Sequence, residues 1–182
     1  MCALKDLKSS ATTMGLTALD GLPMGTRCGS IDPGVLLYLL SEKGYSIEDL
    51  TNLLYKKSGL LGLSGVSDDM RELLNTNTPR AMEAINYFCY HIQRELGSLV
   101  AVLGGLDVLV FTGGIGENAS TIRQKVCEGL KWLNIEFDEV LNSSLPSHTA
   151  IQISTPQSQA SVWVIPTNEE IIIANDSHTN SS

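Results

Sequence analysis

The residues best suited to chemistry lie in four short stretches of the 182-residue chain. The sharpest is Thr112-Gly113-Gly114-Ile115-Gly116-Glu117, where an apolar run gives way to a turn and then to a helix-forming stretch. Glycines let a backbone approach a ligand and take dihedrals that side chains forbid. A following helix N-terminus offers N–H groups and a positive dipole to an anion. The pattern is not the dinucleotide GxGxxG, and no GxxxxGKS/T occurs, which excludes a P-loop. A tight strand-to-helix turn without a ligand is the other reading. Arg27, set in Gly25-Thr26-Arg27-Cys28-Gly29, is either a solvated charge or a planar fork for an oxyanion. Asp69-Met70-Arg71 opens a short helix and reads as an N-terminal acid with a helix-face ion pair. Glu169 and Glu170 follow Asn168 at another helix start. They either favour the dipole or offer carboxylate oxygens to a divalent cation. His91, His148 and His178 share no spacing and give neither a catalytic pair nor a metal site, and Asp32 reads as a helix cap.

The elements that must position these residues follow from local signals. Met1 to Leu4 reads as a strand, followed by a Lys-Asp-Leu-Lys-Ser-Ser turn. Residues 14–34 are dense in glycine and proline and form no regular element. Asp32-Pro33 predicts a helix start, with its end at Gly44. Ser46 and Asp49 have capping-box spacing for a helix to about Lys57. Residues 58–67 read as a small-residue loop, and Ser67 as the cap of a short helix, 68–75. Thr78-Pro79 opens a long helix to about Leu103, with Ala81, Ala84, Ile85, Phe88, Ile92, Leu96, Leu99 and Val100 at helical spacing. Leu106 to Phe111 reads as a buried parallel strand. A helix over 120–133, a polar stretch over 142–149, strands over 151–154 and 161–165, and a helix opening at Pro166 complete the chain. The last residues, 177–182, read as frayed. The β/α alternation of the second half predicts an α/β sheet with crossovers, and the helical middle an insertion on it.

Composition sets the boundaries. Apolar residues make up 43% and charged residues 18%, enough for a core and too apolar for wholesale disorder. Twenty acidic against twelve basic side chains leave a net charge of −8, which argues against non-specific binding to a phosphate backbone. No apolar run is long enough to span a bilayer, and Met1 to Lys8 lacks the layout of a secretory signal. Cys2, Cys28, Cys89 and Cys127 form no CxxC pair and read as free thiols. The expectation is a cytoplasmic protein that binds neither nucleic acid nor membrane.

Taken in order, five segments resemble the acetate kinase family, the acetate/propionate/butyrate kinases of the actin, hexokinase and Hsp70 superfamily. They are Gly21-Leu22-Pro23-Met24-Gly25-Thr26-Arg27, Ile31-Asp32-Pro33-Gly34, residues 58–67, Phe111 to Asn118, and Ile165 to Glu170. The resemblance implies an RNase H-like α/β lobe of the actin/hexokinase type across residues 1–182, with a helical insertion over roughly 31–104 and its first strand missing. It implies transfer of the ATP γ-phosphoryl to acetate or another short carboxylate, with Mg²⁺ as cofactor. Arg27 matches the arginine that stabilises the transferring phosphoryl. Asp69, Met70 and Arg71 match a nucleotide-binding tripeptide. Gly113, Gly114, Ile115, Gly116 and Glu117 match the loop against adenosine, and Glu169 the magnesium ligand. Cys28, Ser30 and Ala11 depart from the family's Ser, Asp and Asp. The family's N-terminal lobe, with its carboxylate pocket, catalytic aspartate and phosphate loop, has no counterpart in these residues. The resemblance therefore implies a C-terminal lobe with little activity alone, or a nucleotide-binding or interaction module, partnered by a separate N-terminal lobe or by a second copy.

Overall fold

The computed structural model describes residues 1–146 and 148–167. The chain divides into two units, Met1–Leu106 and a second from Asp107 onward. The first begins with a hairpin, β1 (Cys2–Lys5) against β2 (Lys8–Thr12), antiparallel with an irregularity at Ala3/Leu4. The expected turn at Lys8-Ser9-Ser10 is thus a strand. Asp6 and Leu7 both take positive φ, 51° and 61°, as a two-residue hairpin turn of this twist demands. Leucine is an unusual choice there, which is why the turn is not legible in the sequence.

Four helices precede the long one. They are α1 (Pro33–Ser41), α2 (Ile47–Lys56), α3 (Gly59–Ser64) and α4 (Met70–Asn75). Asp32 caps α1 through the Gly34 N–H, and the Ser46/Asp49 capping box of α2 is complete. Helix α3 replaces the expected loop over 58–67. Leu60 and Ser64 are buried, so tertiary contact overrides the low helix propensity of Gly59 and Gly62. Asp69, rather than Ser67, is the cap of α4. Helix α5 (Pro79–Leu103) runs as predicted, from Thr78, whose hydroxyl accepts the Ala81 N–H, to Gly104 in the left-handed region. Its buried stripe (Ala81, Ala84, Ile85, Phe88, Leu96, Leu99, Val100) is the spine of this unit, and α3, α4 and β1 pack against it.

The second unit is built on a three-stranded sheet. In sequence order it contains β3 (Val108–Phe111), α6 (Gly113–Asn118), α7 (Ser120–Glu128), a 3-10 turn at Lys131–Leu133, α8 (Glu139–Ser143), β4 (Ile151–Gln152) and β5 (Ser161–Val164). Strand β5 is central, parallel to β3 and antiparallel to β4. Leu109, Phe111, Val162 and Val164 are buried on one face, whereas Val108 and Val110 are 49% and 43% exposed. Among the described residues β3 therefore alternates, and is not buried on both faces as its apolar run suggested. The polar stretch expected from residue 142 begins inside α8, and Asn142 is buried. The helix expected to open at Pro166 and the frayed tail fall, from residue 168 on, outside the described residues. No helix among the described residues is long and apolar enough to cross a membrane.

The cysteines are free, Cys2 exposed and Cys127 buried. Burial pushes the Cys127 thiol up to about 12, so at pH 8 almost none of it is the reactive thiolate. Iodoacetamide at pH 8 is expected to alkylate Cys2 in minutes and Cys127 only on addition of denaturant. Peptide mapping after a short pulse checks this, and native labelling of Cys127 at the rate of Cys2 contradicts the packing of α7.

Candidate functional site

Residues 14–32 carry no helix or strand, so their backbone groups need partners elsewhere. The loop around Arg27 finds them where α2 passes into α3. The Cys28 N–H donates to the Leu54 carbonyl (3.1 Å), and the Ser58 N–H to that of Thr26 (2.9 Å). The first-turn N–H groups of Leu60 and Leu61, which an isolated helix would leave unpaired, donate to the carbonyls of Met24 and Gly25, both at 2.9 Å. The Thr26 hydroxyl donates to the Tyr55 carbonyl at 2.8 Å. This closeness dictates Gly59: it has φ +61°, and a Cβ there would sit 2.6 Å from the Arg27 carbonyl oxygen.

Arg27 is half-buried on this platform. One Nη donates to the Ala18 carbonyl at 3.2 Å, and the guanidinium carbon lies 6.0 Å from the centre of the Tyr55 ring. No carboxylate among the described residues pairs with it. Asp20, in the same irregular loop, accepts the Ser30 hydroxyl (2.6 Å) and the Gly21 N–H (2.8 Å), and the bond from Ser30 holds its pKa low. A guanidinium held in place with its charge uncompensated suits an oxyanion. Gly25 packs on the segment entering α4, where a Cβ would meet the Asp68 carbonyl oxygen at 3.0 Å. Asp69 caps α4 through the Arg71 N–H at 2.8 Å, and its carboxylate also takes the Arg71 guanidinium, which holds its pKa below the usual range. Met70 is buried in the core. Arg71, by contrast, is 82% exposed, so this ion pair adds little stability and leaves the guanidinium facing water.

In the second unit, Gly113 has φ +74°, which only glycine adopts without strain. Gly116 lies against Phe111, where a Cβ would meet backbone at 3.3 Å. Gly114 has neither reason: a Cβ there would meet nothing within 4 Å, and the residue is exposed. The turn therefore presents bare backbone to its surroundings. The Glu117 carboxylate accepts the Gly113 N–H at 2.8 Å, the Thr167 N–H at 2.9 Å and the Thr167 hydroxyl at 3.0 Å. These bonds, the Thr167 N–H foremost, hold its pKa below the ordinary carboxylate value.

The structure thus brings Arg27 and the approach to Asp69–Arg71 together in the first unit and holds Gly113–Glu117 with Thr167 in the second. Glu169 and Glu170 lie outside the described residues. Among the described residues no group of three or more His, Cys, Asp or Glu side chains could hold a metal ion. Sequence reasoning missed Tyr55, Thr167 and the pair Arg123 and Asn142. Arg123 carried a signal, since it shares helical spacing with Ile122, Val126 and Cys127, the buried face of α7.

Comparison with known proteins gives one consistent relationship. The acetokinase family model matches residues 1–175. The acetate kinase of Rhodopseudomonas palustris is 59% identical over 96% of this chain, which spans 43% of that relative. The acetate kinase of Rickettsia felis is 48% identical over 97% of the chain and 45% of the relative. Among solved structures, Porphyromonas gingivalis acetate kinase superposes with a TM-score of 0.91 at 41% identity, over 100% of this chain and 46% of that one. A propionate kinase from Francisella tularensis gives 0.87 at 41% identity, over 95% and 44%. The chain spans less than half the length of these relatives.

Two outcomes test the geometry. Gly59→Ala is expected to lower urea-unfolding stability by about 2 kcal/mol or more, whereas Gly97→Ala, in open space on α5, raises it by about 0.5–1 kcal/mol. Equal effects at the two glycines would remove the platform from under Arg27. For Glu117, the depressed folded pKa means that its bonds stabilise the turn fully above the unfolded carboxylate's titration and lose that effect as pH falls through the folded value. Glu117→Gln should flatten the acid limb of the stability profile, and an unchanged limb counts against the Thr167 bonds.

Proposed function

The chain belongs to the acetokinase family, and from that membership we propose that it is the C-terminal, nucleotide-binding lobe of an acetate kinase-type phosphotransferase, with the RNase H-like architecture of the actin and hexokinase superfamily. The reaction passes the γ-phosphoryl of ATP to a carboxylate oxygen of acetate. A bond forms from that oxygen to phosphorus, the bond from phosphorus to the bridging oxygen breaks, and ADP and acetyl phosphate leave. The observation that carries this reading is Arg27: a half-buried guanidinium, fixed by the α2–α3 platform and matched by no carboxylate among the described residues. Such a fork suits the equatorial oxygens of a loose, metaphosphate-like transition state. The turn Gly113–Glu117 offers exposed backbone to the adenosine part, and Asp69–Arg71 a second nucleotide contact.

The donor chemistry suits Mg²⁺, a hard cation that takes carboxylate and phosphate oxygens. Glu169 would hold it, and bound there it would neutralise charge on the phosphates. In this reading the acyl pocket and the general catalytic groups belong to an N-terminal lobe, and the reaction is cytoplasmic. A second reading, an interaction module that works only with such a lobe or another copy, is favoured by the exposed apolar surface. Helix α1 buries none of its nine residues, and Leu37 is 66% exposed.

A hydroxamate assay for acyl phosphate decides between these readings. The purified chain alone should give little product, and the chain supplied with an N-terminal lobe should give product that Arg27→Ala cuts about a thousandfold or more. No product in either case removes the enzyme reading. Thermal stabilisation by ATP without turnover then marks the binding module.

A further inference from the structure

Buried in the second unit is a cation that the proposed chemistry does not use. Arg123 is 2% exposed and meets no carboxylate among the described residues. Instead it is spent on neutral oxygens. Its Nη1 donates to the carbonyls of Gly116 (2.9 Å) and Glu117 (2.8 Å), its Nε to the Asn142 side-chain oxygen (2.7 Å), and its Nη2 to the Asn142 carbonyl (2.7 Å). Asn142 is itself fixed by donating to the Ser120 carbonyl at 3.1 Å. A guanidinium is costly to bury, and burial lowers its pKa here. What it holds is therefore informative: the last carbonyls of α6, a six-residue helix of which three residues are glycine. Those carbonyls have no partner within so short a helix, and a cation is favoured at that end. The opposite end is tied by the Glu117 carboxylate to Gly113.

We propose that Arg123, locked by Asn142, is a positioning residue that holds the glycine turn 113–117 in its binding-ready shape. The inference rests on the reading of that turn as a nucleotide contact. The clamp acts from behind, on the carbonyls of the turn, and leaves Gly114 bare. Without it, a glycine-rich segment of this length samples many backbone states, and a nucleotide must bear the cost of ordering it. Lysine keeps the charge but cannot donate in four directions at once.

The test uses the 182-residue chain, amide hydrogen exchange and ADP calorimetry. In the wild type, amides of 115–118 are expected to exchange slowly for so exposed a turn, and exchange at the rate of an unstructured peptide overturns the proposal. Arg123→Lys and Asn142→Leu, each releasing one side of the clamp, should speed exchange at 113–118 about tenfold and leave the α5 amides unchanged. ADP affinity should fall about tenfold under conditions where circular dichroism shows the variants folded. Asn142→Asp, which keeps the acceptor for Nε, should retain most of the affinity. Unchanged exchange at the turn, or an equal rise across the whole chain, overturns the proposal. A wild type that binds no ADP refutes the nucleotide reading instead, and the exchange arm still decides the role of Arg123.

Discussion

A loop, or a helix too short to pair its own ends, must hand its N–H and C=O groups to a neighbour, because leaving them buried and unpaired is costly. Both glycine-rich segments of this chain obey that constraint, by different means. Around Arg27 the neighbours are backbone groups: Leu54, Ser58, Leu60 and Leu61 supply or accept four of the bonds that shape residues 24–28. Around Gly113–Glu117 they are charged side chains, with Glu117 taking the N–H at the start of the turn and Arg123 giving to the carbonyls at its end. In neither segment does the glycine-rich stretch set its own shape. The glycines only permit the approach, at Gly59 by having no Cβ and at Gly113 by accepting positive φ.

That division explains what could be read from the sequence. Signals confined to neighbouring residues were legible. The Ser46/Asp49 capping box, the Asp32-Pro33 start and the whole of α5 from Thr78-Pro79 to Gly104 depend on side chains within a few positions of the backbone they satisfy. Features decided at long range were not. Helix α3 exists because its first N–H groups meet the arginine loop more than thirty residues earlier and Leu60 is buried, and neither fact leaves a mark in Ser58-Gly59-Leu60-Leu61-Gly62. Arg123 and Asn142 are nineteen positions apart, and although the spacing of α7 puts Arg123 on its buried face, nothing local to it names Asn142 as its partner.

The candidate site divides along the same line. Glycine spacing and the isolated Arg27 drew attention in the sequence because their residue types are unusual for their surroundings. The sequence left open whether Arg27 is a solvated charge; the structure places it half-buried, donating to the Ala18 carbonyl with the Tyr55 ring 6.0 Å away. For Asp69 and Arg71 it returns the local ion pair that the spacing implied, and gives Asp69 the capping role expected of Ser67. Met70 contributes to the core, so only its backbone is left to face a ligand.

The charge of the chain sharpens the contrast between its two placed arginines. A net charge of −8 gives no general attraction for a polyphosphate, so the proposed nucleotide contacts would rest on short-range donors already aimed before the anion arrives. Such donors work only if they do not reorganise on binding, and each arginine meets one half of that requirement. Arg27 is anchored through one Nη bond and the Tyr55 ring and keeps hydrogen-bonding capacity to give. Arg123 has spent four of its five donors inside the protein and, being buried, aims none at a ligand, yet the bare backbone that could meet one is held in place by it. In the proposed reading Arg27 would supply a contact itself, whereas Arg123 would keep the bare backbone of 113–117 from drifting.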